Sequence, residues 1–234
     1  MRKKIGIICA GAREVVPFIQ HISEDNITEK AMLKIHEGTI NGVEVAVLCS
    51  GVCKVNAAIA AQILIDSFSV DTIINAGTAG GMDDSLDIFD TVISKEVVYH
   101  DMFPAILTKS HPWMDSEYFY ADEELIRVAR CAVEKQKISY PVVFGRIATG
   151  EQFIEKDRRK EINDRYSPLI VDMETASIAH VCLVNQIPFL AIRTITDTAR
   201  ECGEKHFEKN CDRASRIAKD ITLALIDQIK LVDC

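Results

Sequence analysis

Hydrophobic residues along the chain fall into short, nearly continuous runs, separated by stretches in which they recur at helical spacing. The runs are KIGIICA (4–10), MLKIHEGTI (32–40), VEVAVLCS (43–50), TIINAG (72–77), DTVISKEVVY (90–99), VVFGRIATG (142–150), PLIVDM (168–173) and PFLAIRTIT (188–196). Their length and Val/Ile content predict strands. Several are apolar at almost every position, as strands are when both faces of a sheet are covered. Helical patterns span 14–21, 54–68, 121–136, 155–164, 174–184 and 212–231. Asn41-Gly42 between two runs predicts a tight hairpin. Strands alternating with helices predict an α/β fold, and the hairpin adds an antiparallel part. The expected fold class is therefore a single-domain, three-layer α/β/α arrangement with a mixed central sheet. No repeat and no Pro/Gly/Ser-rich linker divides the chain, so residues 1–234 are read as one domain. The stretch 101–120 is long, irregular and aromatic, a kind of segment that is usually functional or at an interface.

Composition narrows the partners. The chain has 234 residues, 48% of them hydrophobic, which is ample material for a core. A net charge of −8 argues against a nucleic-acid-binding face, which needs clustered Lys and Arg. No apolar stretch approaches the roughly 20 residues of a membrane span. The apolar run after the N-terminal basic residues is short and is followed by Arg13 and Glu14, so no signal peptide is read and a cytoplasmic location is expected. The eight cysteines (Cys9, Cys49, Cys53, Cys131, Cys182, Cys202, Cys211, Cys234) form no C-x-x-C pair and no zinc pattern. They read as reduced structural residues. Neither a metal nor a cofactor is expected.

In α/β folds ligands gather at the carboxyl ends of strands. Here those ends carry Arg13 and Glu14; Ser50 and Gly51; GTAGG (77–81); Tyr99, His100 and Asp101; GEQF (150–153); Asp172 to Glu174; and Asp197. GTAGG lets backbone approach a ligand, and its amides could hold an anion or hydroxyl; a simple tight turn is the plain alternative. It is neither a Walker loop nor a G-x-G-x-x-G fingerprint. Glu14 and Glu174 also suit the first turn of a helix, and Asp172 and Asp197 suit caps. Asp172 is expected to cap or to face solvent. Arg193, inside an apolar strand, requires a partner, and Glu14, Glu174 and Asp197 are the anions at the same edge. His100 is read as structural or as an interface residue.

Together, GII-A---EV at the N-terminus, SGVCKVNAA, IINAGTAGG, YHD, TGEQFI, VDMETASIAHV and RTITDTA resemble the 5′-methylthioadenosine/S-adenosylhomocysteine nucleosidases of the nucleoside phosphorylase superfamily, in the same order from residue 4 to about residue 230. The resemblance implies a nucleoside phosphorylase-like fold, hydrolysis of 5′-substituted adenosines with water as co-substrate, and a place in methionine salvage. It implies that Glu14 activates the water and that Asp197 protonates adenine N7. Met173 and Glu174 then bind the ribose, Phe153 stacks on adenine, and the Ile154 backbone reads the adenine edge. Thr78 and Arg193 fall in the water and ribose region, Gly80 in the binding loop, and Val52 and Phe207 on the wall of the 5′ pocket. A homodimer is implied as well, with Met102 to Trp113 reaching the neighbouring site. The chain departs from the family in 102–120, which leaves the 5′ group open. A phosphate-using purine nucleoside phosphorylase is the enzymatic alternative. Glu14 and Asn75 stand where related phosphorylases carry arginines, and a carboxylate repels phosphate, whereas Arg13 is adjacent. A catalytically weak adenine-nucleoside binder is the other alternative.

Overall fold

The computed structural model describes residues 4–111, 114–135, 140–154, 156–201 and 203–232. The elements follow as β1 (Lys4–Cys9), α1 (Ala12–Ile19), β2 (Ser23–Lys30), β3 (Leu33–Ile40), β4 (Val43–Cys49), α2 (Lys54–Phe68), β5 (Thr72–Gly81), β6 (Thr91–Tyr99), α3 (Ile106–Ser110), β7 (Tyr118–Tyr120), α4 (Glu123–Lys135), β8 (Val142–Thr149), α5 (Lys156–Tyr166), β9 (Ile170–Asp172), α6 (Thr175–Asn185), β10 (Phe189–Asp197) and α7 (Glu204–Val232).

The sheet is mixed. β1 lies between β4 and β5, parallel to both, and β4, β3 and β2 continue outward as antiparallel neighbours. The hairpin between β3 and β4 turns on Asn41 (φ 52°) and Gly42 (φ 83°), the paired positive φ values that a type I′ turn demands. On the other side the sheet closes on itself. β5 pairs with β10, β10 with β6, β6 with β8, β8 with β9, and β9 returns to the last two glycines of β5. That closure corrects the reading of GTAGG as a turn: the glycines prolong β5 and pair its end with β9, the strand that carries Asp172.

Side chains of β1 alternate between two cores. Ile5, Ile7 and Cys9 face α1, α4 and α7, where they meet Phe18, Leu125, Ile221 and Leu225. Ile8 faces α2 and α6, with Ala57, Leu64, Ile178 and Cys182. Two covered faces explain the continuous apolar runs. A third, small cluster seats Ile162 and Tyr166 of α5 against Met82, Val98 and Val171.

Several boundaries differ from the sequence expectation. β2 is an edge strand, mostly exposed and polar, so no alternation marks it. β7 and α3 are too short to leave a pattern. α7 begins at Glu204 rather than 212, through a turn rich in charge. Residues 136 and 155 of two expected helices, and Cys202 and Cys234, lie outside the described residues; the described cysteines are free thiols. Among the described residues no helix is long and apolar enough to cross a membrane.

Candidate active site

The carboxyl ends of β1, β5, β9 and β10 open into a cavity of about 700 Å³, walled further by the 150–154 loop, α5 and the first turns of α7. Ten of the eleven residues singled out from sequence line it: Glu14, Val52, Thr78, Gly80, Phe153, Ile154, Met173, Glu174, Asp197 and Phe207. Arg193 lies behind the lining, 1% exposed.

Glu14 occupies the third position of α1 and reaches back over the start of the helix. Its Oε2 accepts the N–H groups of Ala10 (2.8 Å) and Gly11 (3.1 Å), and its Oε1 accepts the N–H and the hydroxyl of Thr78, each at 2.7 Å. Its helix-start role and its place in the cavity are thus one geometry. The Thr78 amide of the glycine-rich stretch therefore holds a carboxylate of the protein. Gly77 makes this possible: a Cβ there would stand 2.5 Å from Glu14 Oε1 and 2.7 Å from Arg193 Nη1. The closeness of both groups to that one point brings the carboxylate and the guanidinium to neighbouring positions.

Arg193 finds its partners one strand away. Nε donates to Asp172 Oδ2 at 2.9 Å and Nη2 to Glu174 Oε2 at 2.6 Å. Asp172 also accepts the Thr149 hydroxyl (2.6 Å), the Thr175 hydroxyl and the Thr175 N–H (3.3 Å). It does cap the start of α6, but it is buried, which corrects the solvent-facing expectation; a cation with two carboxylates can satisfy both inside the protein. Glu174 presents its other oxygen to the Cys53 N–H at 3.0 Å. Burial pushes the Glu174 carboxyl up to about 7, with Arg193 pulling the other way. Burial works against the Arg193 charge too, but Asp172, Glu174 and Glu14 more than reverse it.

Asp197 is not among the Arg193 partners. Its Oδ2 accepts Arg159 Nη2 at 3.1 Å and its Oδ1 accepts the Thr196 hydroxyl at 3.1 Å. Burial raises its pKa above the ordinary carboxylate value, and Arg159 opposes the rise. Sequence reasoning missed Arg159, which sits in a run of charges, KDRRKE, that reads as a solvated helix. The apolar wall is formed by Val52, Met173, Ile154 and the rings of Phe153 and Phe207, whose centroids are 6.5 Å apart at 76°. Arg13 turns to α7, where Glu208 (2.7 Å) and Asp212 (2.5 Å) hold it. His100 stays outside the cavity lining, packed against Gly150.

The arrangement offers an acceptor carboxylate, a carboxyl biased toward its protonated form, and an apolar wall in one enclosure. Comparison with known proteins shows the family. The model of the Phosphorylase superfamily matches residues 4–227. The chain is 36% identical over 228 residues to a 5′-methylthioadenosine/S-adenosylhomocysteine nucleosidase of Glaesserella parasuis serovar 5, covering 96% of this chain and 98% of that one. A Geobacillus nucleosidase of the same description is 35% identical over 232 residues, covering 97% and 99%. Among solved structures, the Colwellia psychrerythraea 34H nucleosidase in complex with adenine superposes with a TM-score of 0.89 at 32% identity, covering 97% of this chain and 96% of that one. The S. pneumoniae nucleosidase, solved with a transition-state inhibitor, gives 0.88 at 28% identity, covering 97% and 99%.

Proposed function

Because the chain belongs to the 5′-methylthioadenosine/S-adenosylhomocysteine nucleosidases of the phosphorylase superfamily, we propose that it hydrolyses the N-glycosidic bond of 5′-substituted adenosines to adenine and the free sugar. The observation that carries this reading is the pair of unlike carboxylates, Glu14 and Asp197, lining one cavity.

The chemistry needs both. Adenine leaves poorly as an anion, so a carboxyl must give it a proton, and an Asp does this near neutral pH only if its surroundings raise its pKa. Asp197 is so placed. Its proton passes to N7 while the C1′–N9 bond breaks and its electron pair moves into the purine. The sugar becomes oxocarbenium-like, as in glycoside hydrolysis. Water adds to C1′ and gives a proton to Glu14, which Thr78, Ala10 and Gly11 hold in place. Solvent then takes the proton from Glu14 and returns one to Asp197. Glu174 accepts the ribose 2′- and 3′-hydroxyls beside Met173, and Arg193 keeps Glu174 at its post. Phe153 stacks on the base, the backbone of Ile154 reads its edge, and Val52 and Phe207 flank the 5′ substituent. Phosphate finds little welcome: Arg13, Arg159 and Arg193 are each engaged by carboxylates.

We also read the enzyme as a cytoplasmic homodimer serving methionine salvage. In support of the dimer, α2 and α6 pack together and leave Val55, Ile59, Leu183 and Val184 exposed. Asp101 holds Lys54 at the start of α2 (2.9 Å), so the loop bearing exposed Phe103 lies beside that face. Pro112 and Trp113 of the expected dimer segment lie outside the described residues.

Incubation with methylthioadenosine, S-adenosylhomocysteine, 5′-deoxyadenosine and inosine, with and without phosphate, tests the reading. Free adenine and reducing sugar should appear without phosphate. A sugar 1-phosphate as sole product would make the chain a phosphorylase, and tight binding without turnover would make it a binder.

A further inference from the structure

α5 is a polar helix that turns Arg159, Ile162 and Tyr166 inward. The last two have an apolar reason to be there. Arg159 has none, yet it is 5% exposed, and burying a cation costs several kcal/mol. Its Nη1 donates to the Gly81 carbonyl and lies 3.5 Å from Met82 Sδ; its Nη2 donates to Asp197; its Nε has no partner. The guanidinium therefore ties the helix that follows Phe153 and Ile154 to the acid at the end of β10.

We propose that Arg159 is a positioning residue for Asp197: it fixes the carboxyl through Oδ2 and sets the highest pH at which that carboxyl still carries its proton. This rests on the reading of Asp197 as the acid. With Oδ2 taken by Arg159 and Oδ1 by the Thr196 hydroxyl, the carboxyl cannot rotate freely. The acid is thus held in one orientation, at the cost of a lower ceiling on its working pH. His206 of α7, itself 3.3 Å from Glu201, also acts on Asp197, and Arg13, Glu14, Asp172, Glu174, Glu204 and Cys211 share the cavity.

The dependence of kcat/KM on pH reports groups of the free enzyme, the state described here. An adjacent Arg lowers an Asp by about 1–3 pH units. Profiles should be measured for the wild type, Arg159→Lys and Arg159→Met, with methylthioadenosine and with a nitrophenyl riboside, whose leaving group needs no proton. The alkaline limb for methylthioadenosine should move up by about 1–3 pH units in Arg159→Met and stay in place in Arg159→Lys. The nitrophenyl riboside profile should keep its limb in both. A loss equal on both substrates at every pH, with the limb fixed, would reduce Arg159 to a structural part and overturn the proposal. Asp197→Asn, run in parallel, separates the two levels. If it is equally slow on both substrates, the acid assignment fails. If it recovers on the nitrophenyl riboside while the Arg159→Met limb stays fixed, Arg159 alone has been misread. Should Arg159→Met not fold, Arg159→Gln is neutral, can still donate to Gly81, and is judged by the same limb.

Discussion

Two buried arginine–carboxylate groups stand at the same edge of the sheet and solve opposite problems. In the first, Arg193 is caught between Asp172 and Glu174, all three on or beside central strands and buried. One cation shared by two anions leaves a negative remainder, which suits a partner that donates hydroxyls. In the second, Arg159 comes from a peripheral helix and meets one carboxylate, Asp197, whose burial already favours the neutral form. Both carboxyls are raised by burial, but the first group sets two anions against its cation and the second only one, on the residue proposed to deliver the proton. Chemical identity of the pair does not distinguish them; the number of carboxylates per cation and the elements that carry them do.

The comparison would break first at the two carboxylates proposed to carry the reaction. Asp197→Asn resembles the protonated acid and keeps an oxygen for Arg159, so the fold should survive. The turnover number on methylthioadenosine should fall about 100- to 10,000-fold, the usual share of general acid catalysis. Glu14→Gln should be comparably slow, because its amide cannot take the proton of water. A variant Asp197→Asn that unfolds at ambient temperature would show that this pair, too, is scaffolding.

Arg193→Met attacks the other group. It leaves Asp172 and Glu174 buried together without their cation, and breaking a buried pair this way costs about 3–5 kcal/mol. Denaturant unfolding should show that loss. Arg159→Met should cost less, since it strands one buried carboxylate rather than two. Equal losses would erase the distinction between the two groups.

The two regions were also unequally legible. Arg193 in FLAIRTIT demanded an anion from sequence alone, because a charge in an apolar strand cannot go unpaired. Which anion answered was not legible. Asp172 was legible as a cap, but its burial was not, because the closure of the sheet from β5 through β9 leaves no periodic trace. Glu14, Glu174 and Asp197 were found because strand ends in an α/β fold carry the site. Arg159 was hidden for the converse reason. On a helix of mean polar character, one inward arginine beside Arg158 and Lys160 has no signature, and only the fold decides which of them turns in. β2 was missed likewise, since an exposed edge strand is under no pressure to alternate.

Proton linkage sharpens the first group. Glu174 is raised by burial from the ordinary 4.5 to about 7. Between those values the folded protein keeps a proton that the unfolded chain has released, so this group makes stability fall as pH rises through the window. The slope is at most about 1.4 kcal/mol per pH unit, and Glu174→Gln should remove it from the profile. Nucleoside binding should run the other way. Ribose hydroxyls donate to the ionised carboxylate, so affinity for a non-hydrolysable analogue should rise from pH 5 to pH 7 in the wild type and stay level in Glu174→Gln.

The smallest effect concerns the rim of that same group. Cys53 precedes α2 with φ 83° and ψ 161°, a region that is nearly the preserve of glycine and costs other residues about 1–3 kcal/mol. The conformation has a use: it aims the Cys53 N–H at Glu174 Oε1. The thiol itself contributes no comparable contact to the site, and burial, aided by Glu151, pushes its pKa up to about 11, away from reactivity. Cys53→Gly keeps the N–H and releases the strain, while the freer unfolded chain returns about 0.5–1 kcal/mol to the other side. The net should be a stabilisation on the order of 1 kcal/mol, seen as a rise in Tm of about 2–4 °C with the turnover number unchanged. A fall in Tm would mean that the thiol packs well enough to outweigh its backbone.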